Sequence, residues 1–401
     1  MKRYVIIGNG TAGASAAVQI RERDKEGSIV VFTSEKNPYY YRPRLTEYIS
    51  GGIKPGDFTM HTLSQYKNWN VDLRLNDKII AIDAKNNTVT STNSEKIQYD
   101  ELLLATGSNC FLPPVAGNDK QGVYTLRTID NAEAIMAASK KTGVAILVGG
   151  GVLGLEAGKA LINLGLKVEV VEFMDRLLPR QMDPEGAGLL QKQLEEMGFS
   201  FHLSARAKEI SGGSAASGLA LEDGKHITGG IVLFSAGVRP NLELARQAGL
   251  AIDKAVKVDQ YMRTSAPGIW AAGDVCEFSG QPCGIWPTAM AQGKAAGSSM
   301  AGELSAYLPL APSTTLKVAG INLISAGNID AENSMKSKKY ASGNVYRKIV
   351  LDDDVIKGVI FLGSIDGAMD CIAAMNNARH LGVLADELGT GDFDFSKLRT
   401  I

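Results

Sequence analysis

Cysteine is scarce and scattered in this chain. Its four thiols, Cys110, Cys276, Cys283 and Cys371, include no Cys-x-x-Cys pair. That excludes a disulfide framework and a zinc knuckle and points to a reducing compartment. Four histidines (His61, His202, His226, His380) show no ligand spacing, so no metal is expected. An excess of either charge is also missing. Lys and Arg number 42 against 43 Asp and Glu, which leaves no global field for nucleic acid or a membrane surface. No apolar run approaches the roughly 18 residues of a membrane span, so no membrane insertion is expected. The apolar run after Met1-Lys2-Arg3 ends at Gly8. It falls short of the roughly seven residues of a signal h-region, so a cytoplasmic location is expected. What remains is an ordinary globular composition, 45% hydrophobic and 21% charged over 401 residues. That length fits two or three domains. Glycine is plentiful, at 44 residues, and its placement carries the rest of the reading.

A glycine fingerprint occurs twice. Tyr4-Val5-Ile6-Ile7 leads into Gly8-Asn9-Gly10-Thr11-Ala12-Gly13, and Ala145-Ile146-Leu147-Val148 leads into Gly149-Gly150-Gly151-Val152-Leu153-Gly154. Each copy opens with a continuous apolar run, as a buried parallel strand does. Each then passes through a helix-compatible segment to a second apolar run, at 29–32 and 168–171. Two βαβ units imply two Rossmann-like dinucleotide-binding domains in an α/β fold. Within a copy the first glycine permits the tight turn, the second admits a pyrophosphate, and the third lets helix and strand pack closely. The helix start then stabilises the phosphates, with Ala17 and Gly158 as the small residues one turn further on. An acid ending the second strand binds ribose hydroxyls: Glu35 after Ser34 in the first copy, Glu172 in the second. A carboxylate there repels a 2′-phosphate, so NADH is expected over NADPH. Arg176, close behind in sequence, can soften that preference.

The runs Leu102-Leu103-Leu104-Ala105-Thr106-Gly107 and Ile231-Val232-Leu233-Phe234-Ser235-Ala236-Gly237 look like the closing strand of each unit. Pro113-Pro114 and Arg239-Pro240-Asn241 then mark crossings between domains. The expected division is 1–112 with 241–312, 113–240, and a small α+β domain over 313–401. In that last part 316–326, 346–351 and 355–362 read as strands, and 367–379 as a helix. The Gly, Ser and Ala-rich stretch 211–217 reads as a flexible loop rather than a site.

A distant segment decides the class. Ile269-Trp270-Ala271-Ala272-Gly273-Asp274, followed by a helix with Pro287 near its start, resembles the second FAD signature of the pyridine nucleotide–disulfide reductase superfamily. The resemblance runs over essentially the whole chain. It implies a glutathione-reductase-like arrangement in which Asp274 binds the ribityl chain of FAD. Tyr99 to Ser108 and Ala236-Gly237-Val238-Arg239-Pro240-Asn241 are similar to that family's linker strands. Leu126-Arg127 with Asp130 is similar to its FAD-contacting arginine segment. Tyr40-Tyr41-Arg42-Pro43-Arg44-Leu45 stands where disulfide reductases carry a cysteine pair, and no cysteine precedes Cys110. This form resembles the branch of NADH:rubredoxin reductases, ferredoxin reductases and the flavin module of assimilatory nitrite reductase. Leu316-Lys317-Val318-Ala319-Gly320-Ile321 is especially similar to the first of these.

The implied FAD site is Gly8, Gly10, Thr11, Ala12, Gly13, Ser34, Glu35, Arg42, Pro43, Arg44, Ile79, Ala105, Thr106, Gly107, Arg127, Gly273, Asp274, Trp286 and Lys317. Trp286 reads equally well as core. The implied NADH site is Gly149, Gly151, Val152, Leu153, Gly154, Glu156, Glu172 and Gly237. Ser34 stands where relatives often have Glu. Glu47 occupies the position of a family lysine that pairs with the carboxylate equivalent to Glu156, which leaves Arg42 or Arg44 as the expected partner of Glu156. The implied activity moves hydride from NADH to FAD and single electrons on to a small carrier such as rubredoxin, with the enzyme a monomer or homodimer. No protein acid, base or nucleophile is needed, because the cofactor carries the chemistry. Alternatives are a peroxide-forming NADH oxidase and a flavin-dependent redox sensor or binding protein. Cys276 and Cys283 lie outside any Cys-x-x-Cys or helix-start context, so they receive no redox role.

Overall fold

The computed structural model describes residues 1–309 and 313–400, without the side chains of 313–316. The expected boundary between 312 and 313 therefore falls at the edge of residues 310–312, outside the described ones. The chain forms two compact units: Met1–Leu45, Ile53–Cys110 and Gly237–Leu310 in the first, and Thr46–Gly52, Phe111–Ala236 and Ala311–Ile401 in the second.

In the first unit a parallel sheet runs in the order Val71–Arg74, Ser28–Phe32, Arg3–Ile7, Glu101–Leu104, Ile269–Ala271. Its central strands are buried on both faces, which is why they read as unbroken apolar runs. Helix Thr11–Arg23 and helix Trp286–Met300 pack on one face. They approach so closely that a Cβ on Gly293 or Gly297 would stand 2.3 or 2.6 Å from the carbonyl oxygen of Ala12 or Ala16. Small residues at both contact points permit that spacing.

The second unit repeats the sheet in the order Phe199–His202, Lys167–Val171, Val144–Val148, Ile231–Phe234, Val123–Thr125. The runs ending at Gly107 and Gly237 were expected to close their sheets, and the structure corrects this. Glu101–Leu104 and Ile231–Phe234 are inner strands, and three-residue strands lie outside them. In one sheet the outer strand comes from downstream in the chain and in the other from upstream, so the duplication is one of geometry rather than of chain order. The stretch 211–217 is the connection of an antiparallel hairpin between Ala207–Ser211 and Gly218–Leu221.

The C-terminal part is a five-stranded antiparallel sheet in the order Ser313–Val318, Ile321–Gly327, Val355–Leu362, Val345–Asp352, Ser337–Ser342, with helix Ala368–Asn376 against it. Residues 316–326 are thus two strands rather than one. Ala319 and Gly320 both take positive φ (51° and 94°) and turn the chain in a two-residue hairpin. Asp353 and Asp354 do the same in the next hairpin. A cluster of buried charge joins this sheet to the helix Pro184–Glu196. Asp183 caps that helix through the Gly186 N–H (3.1 Å), accepts from the Tyr346 hydroxyl (2.7 Å) and lies 3.6 Å from the ammonium of Lys348. Lys348 also donates to the Asp330 carbonyl (2.6 Å) and Asn333 Oδ1 (2.9 Å). Burial pushes the Asp330 carboxyl up, but the Met335 N–H and the Ser334 hydroxyl and N–H outweigh it and hold it down to about 2. Removing one member of a buried pair leaves its partner uncompensated. Asp183→Ala is expected to lower the unfolding free energy by about 3–5 kcal/mol, read from urea denaturation. A loss below about 1 kcal/mol, the worth of an exposed pair, would contradict this account.

Candidate nucleotide-binding sites

Three steric roles are divided among three glycines in the first unit. Gly8 takes φ +111°, and a Cβ there would lie 2.1 Å from the Ala105 carbonyl oxygen. A Cβ on Gly13 would lie 1.9 Å from the Gly8 carbonyl oxygen, whereas one on Gly10 would meet nothing within 4 Å. Strand, turn and helix are locked together at Gly8 and Gly13, and space stays open at Gly10. No side chain caps the helix that begins at Thr11, so its first amides face that space with their partial positive charge. The Nδ2 of buried Asn9 has no partner there, while its Oδ1 takes the Tyr66 hydroxyl at 2.7 Å. Uncapped donors around an open notch fit a pyrophosphate.

The other residues expected around FAD gather in part. Gly273 (φ +85°) brings its α-carbon against Ala12, where a Cβ would stand 3.1 Å from the alanine methyl, and fixes its N–H on Gln292 at 2.9 Å. Asp274 follows it and accepts from Ser108 Oγ at 2.7 Å. Thr106 and Gly107 are tied to Asn241 through its N–H, side-chain amide and carbonyl. Trp286 donates to the Tyr39 hydroxyl at 3.0 Å, and Tyr39 reaches Thr11 Oγ1 at 3.3 Å. Glu35 ion-pairs with Arg42 and accepts from Tyr40, while Arg44 donates to the Asp57 carbonyl. Pro43 stands at the start of the short helix Arg42–Arg44, and Ser34 precedes Glu35. Ile79 is buried in the core, leaving only its backbone to face a ligand. Arg127 and Lys317 belong to the second unit, and Gly237 to the first.

The second cradle repeats the steric pattern. Gly149 has φ +116° with a Cβ 2.4 Å from the Ser235 carbonyl, Gly154 would place one 2.4 Å from the Gly149 carbonyl, and Gly151 faces open space. Val152 and Leu153 open an uncapped helix. Beside them lies a cavity of about 740 Å³, lined by Gly149, Gly151, Glu172, Phe173, Arg180 and Arg206 among others. Glu172 accepts from the Gly150 N–H (2.6 Å) and the Met174 N–H (2.8 Å). Arg176 is not available to it: Asp175 and Glu332 take its guanidinium at 3.0 and 2.7 Å. The expectation that Arg176 softens coenzyme choice is therefore withdrawn, because two carboxylates already neutralise it. The motifs did not mark Arg180 and Arg206. They reach the cavity from loops that no spacing rule connects to the fingerprint.

Glu156, at the start of the second turn of the same helix, accepts from the Ala319 N–H at 2.8 Å. Burial raises its pKa, and the Ala319 N–H and the charge of Lys317 oppose that rise without cancelling it. Within the second unit, this amide and lysine are the groups that face Glu156. The two-residue turn at Ala319-Gly320 is what frees the amide. Burial also pushes the Cys283 thiol up to about 12 and the Cys276 thiol well above its ordinary value, which disfavours thiolate chemistry. Among the described residues no group of side chains could hold a metal ion, and no helix is long and apolar enough to cross a membrane.

The pyridine nucleotide-disulphide oxidoreductase family model matches residues 2–293. The chain belongs to this family. A second match, to the rubredoxin NAD+ reductase C-terminal domain, covers residues 312–379 of the chain. It is 36% identical over 367 residues to a nitrite reductase [NAD(P)H] of Bacillus subtilis, covering 90% of this chain but 46% of that one. The chain thus spans about half the length of that relative. It is 31% identical over 394 residues to the NADH-rubredoxin oxidoreductase of Clostridium acetobutylicum, covering 96% and 99% of the two chains. A crystal structure of NADH:rubredoxin oxidoreductase from the same organism superposes with a TM-score of 0.83 at 27% identity, covering 100% and 99%. The glycines and acids of the two cradles thus sit in a fold shared over the whole length of that structure.

The raised pKa of Glu156 has a pH signature in the stability of the chain. A carboxyl whose pKa is higher folded than unfolded contributes stability below the unfolded value and loses it as pH rises through the folded one. Glu156→Gln keeps the acceptor for Ala319 and removes the titration. The variant should gain on the wild type as pH rises from below the ordinary carboxylate range to neutrality, read as the difference in Tm. Parallel Tm–pH curves would rule the account out.

Proposed function

We propose that this chain is an FAD-dependent NADH oxidoreductase that delivers electrons to a small redox carrier protein such as rubredoxin. The observation that carries the reading is the repeated cradle: the same parallel sheet geometry, the same three steric roles and an uncapped helix start, twice in one chain. A C-terminal segment of rubredoxin NAD+ reductase type and full-length likeness to an NADH-rubredoxin oxidoreductase support the choice of carrier. In this reading residues 1–112 with 241–312 hold FAD, 113–240 hold NADH, and 313–401 form the third domain. The breaks between compact units at Cys110–Phe111 and Ala236–Gly237 support the separation of the first two, while 311–401 share one compact unit with 111–236. Four cysteines free of disulfides suit the cytoplasm.

Bound FAD supplies the step from two-electron to one-electron chemistry. The chain's own residues bind and orient. The helix starts at Thr11 and Val152 stabilise diphosphates. Asp274, held by Ser108, offers a carboxylate for the ribityl chain. Glu172, fixed by two amides, offers one for ribose hydroxyls. Glu156 is held by Ala319 at the second turn of the helix that opens at Val152, as a fixed carboxylate beside the NADH cradle. Placement of this kind lowers the entropic part of the barrier.

The test is anaerobic stopped-flow on the purified protein. It should be yellow, bleach with NADH, and be reoxidised faster by rubredoxin than by oxygen. Colourless protein that takes up no flavin, or oxygen outpacing every carrier, would overturn the proposal. Asp274→Ala should weaken FAD retention by about tenfold or more, the loss of one charge-assisted hydrogen bond, measured as flavin content after dialysis. Unchanged content would remove Asp274 from the site.

A further inference from the structure

We propose that Cys276 and Cys283 close into a reversible disulfide when hydrogen peroxide oxidises them, and that closure loosens the corner at Gly273-Asp274. The effect on that corner rests on the FAD reading above; the disulfide itself does not. Nothing in their sequence spacing pairs these thiols, but a hairpin does. Strand Cys276–Phe278 runs antiparallel to Gln281–Pro282, with Phe278 opposite Gln281 and Glu277 opposite Pro282. Ser279 and Gly280 both take positive φ (50° and 73°), a two-residue turn that fixes this register. One step further Cys276 stands opposite Cys283, whose N–H reaches the Cys276 carbonyl oxygen at 3.4 Å. Residues bonded in this way have α-carbons about 5.5 Å apart, inside the roughly 4.4–6.8 Å span of disulfides. Their side chains leave the same face of the hairpin. The β-carbons must still close to about 3.8 Å, which strains the link and keeps it reducible. Gln281–Pro282 is an exposed edge strand, paired on one side only, so it yields most easily.

Both thiols are tied to the corner they would loosen. Cys276 Sγ lies 3.5 Å from Gln292 Oε1, the oxygen that also holds the Gly273 N–H at 2.9 Å. The Cys283 thiol hydrogen-bonds the Asp274 carboxylate. Oxidation removes both S–H donors at once. Burial holds the two thiols above their ordinary pKa, which slows the chemistry without barring it. Cys283, the less buried of the two, reacts first. Its thiolate attacks a peroxide oxygen, the O–O bond breaks, and water leaves behind a sulfenic acid. The Cys276 sulfur then attacks that sulfur, the S–S bond forms, and the hydroxyl departs with the Cys276 proton as a second water. Two electrons pass from the pair to the peroxide, and an external dithiol returns them.

The full-length protein, carrying its flavin, is treated with hydrogen peroxide and mapped by non-reducing peptide mass spectrometry. Released flavin is followed in parallel by fluorescence. A cross-linked pair lighter by two hydrogen atoms should join the peptides of Cys276 and Cys283 and disappear with dithiothreitol. Neither Cys283→Ser nor Cys276→Ala should form it. The Kd for FAD should rise by about fivefold or more in the cross-linked protein, as for the loss of one hydrogen bond, and recover on reduction. Absence of the link under peroxide overturns the proposal. A link that leaves flavin retention unchanged overturns the effect on the corner. A link in protein that never takes up flavin overturns the FAD reading and leaves the disulfide standing.

Discussion

A Cβ on Gly13 would stand 1.9 Å from the Gly8 carbonyl oxygen, and one on Gly154 would stand 2.4 Å from that of Gly149. No side chain tolerates such distances, so helix and strand meet backbone to backbone at both cradles. This contact sets the entry of each helix and exposes its unpaired amides at the second glycine. Everything proposed for the two nucleotides follows from it, because an anion site made of amides has no side chain to move aside. In the proposed function the acids Glu35 and Glu172 only select among ligands that the backbone already admits.

Around this constraint the two sheets solve one problem with different chain routes. Each needs a fifth strand beyond the inner four, and each finds it in a distant three-residue piece, Ile269–Ala271 or Val123–Thr125. The first brings Gly273 and Asp274 to the mouth of its cradle as a by-product of completing the sheet. The second brings no comparable acid. The specialisation of the two cradles thus has a topological origin as well as a chemical one.

The parallel strands were legible because burial on both faces leaves unbroken apolar runs, and the cradles because glycine spacing reflects sterics. The outer strands were not legible, since three residues carry no periodicity. The strand expected over 316–326 failed at Ala319-Gly320, where one glycine inside an apolar stretch is a weak mark and the positive φ of Ala319 is invisible. That turn also supplies the amide that Glu156 accepts from, so one two-residue feature bears on the fold and on the site together. Arg176 was singled out for its nearness in sequence, but Glu332 holds it from far along the chain. Arg180 and Arg206 went unnoticed because a cavity wall is assembled in space. The family resemblance, by contrast, was legible over the whole length from short motifs alone.

Asp183 has two duties: it caps the helix Pro184–Glu196, and with Asp330 it is a counter-ion of the sealed-in ammonium of Lys348 on the C-terminal antiparallel sheet. One carboxylate therefore anchors the start of a helix and a strand of that sheet at once. A change at this position is felt in both elements together, so neither can be repacked without the other.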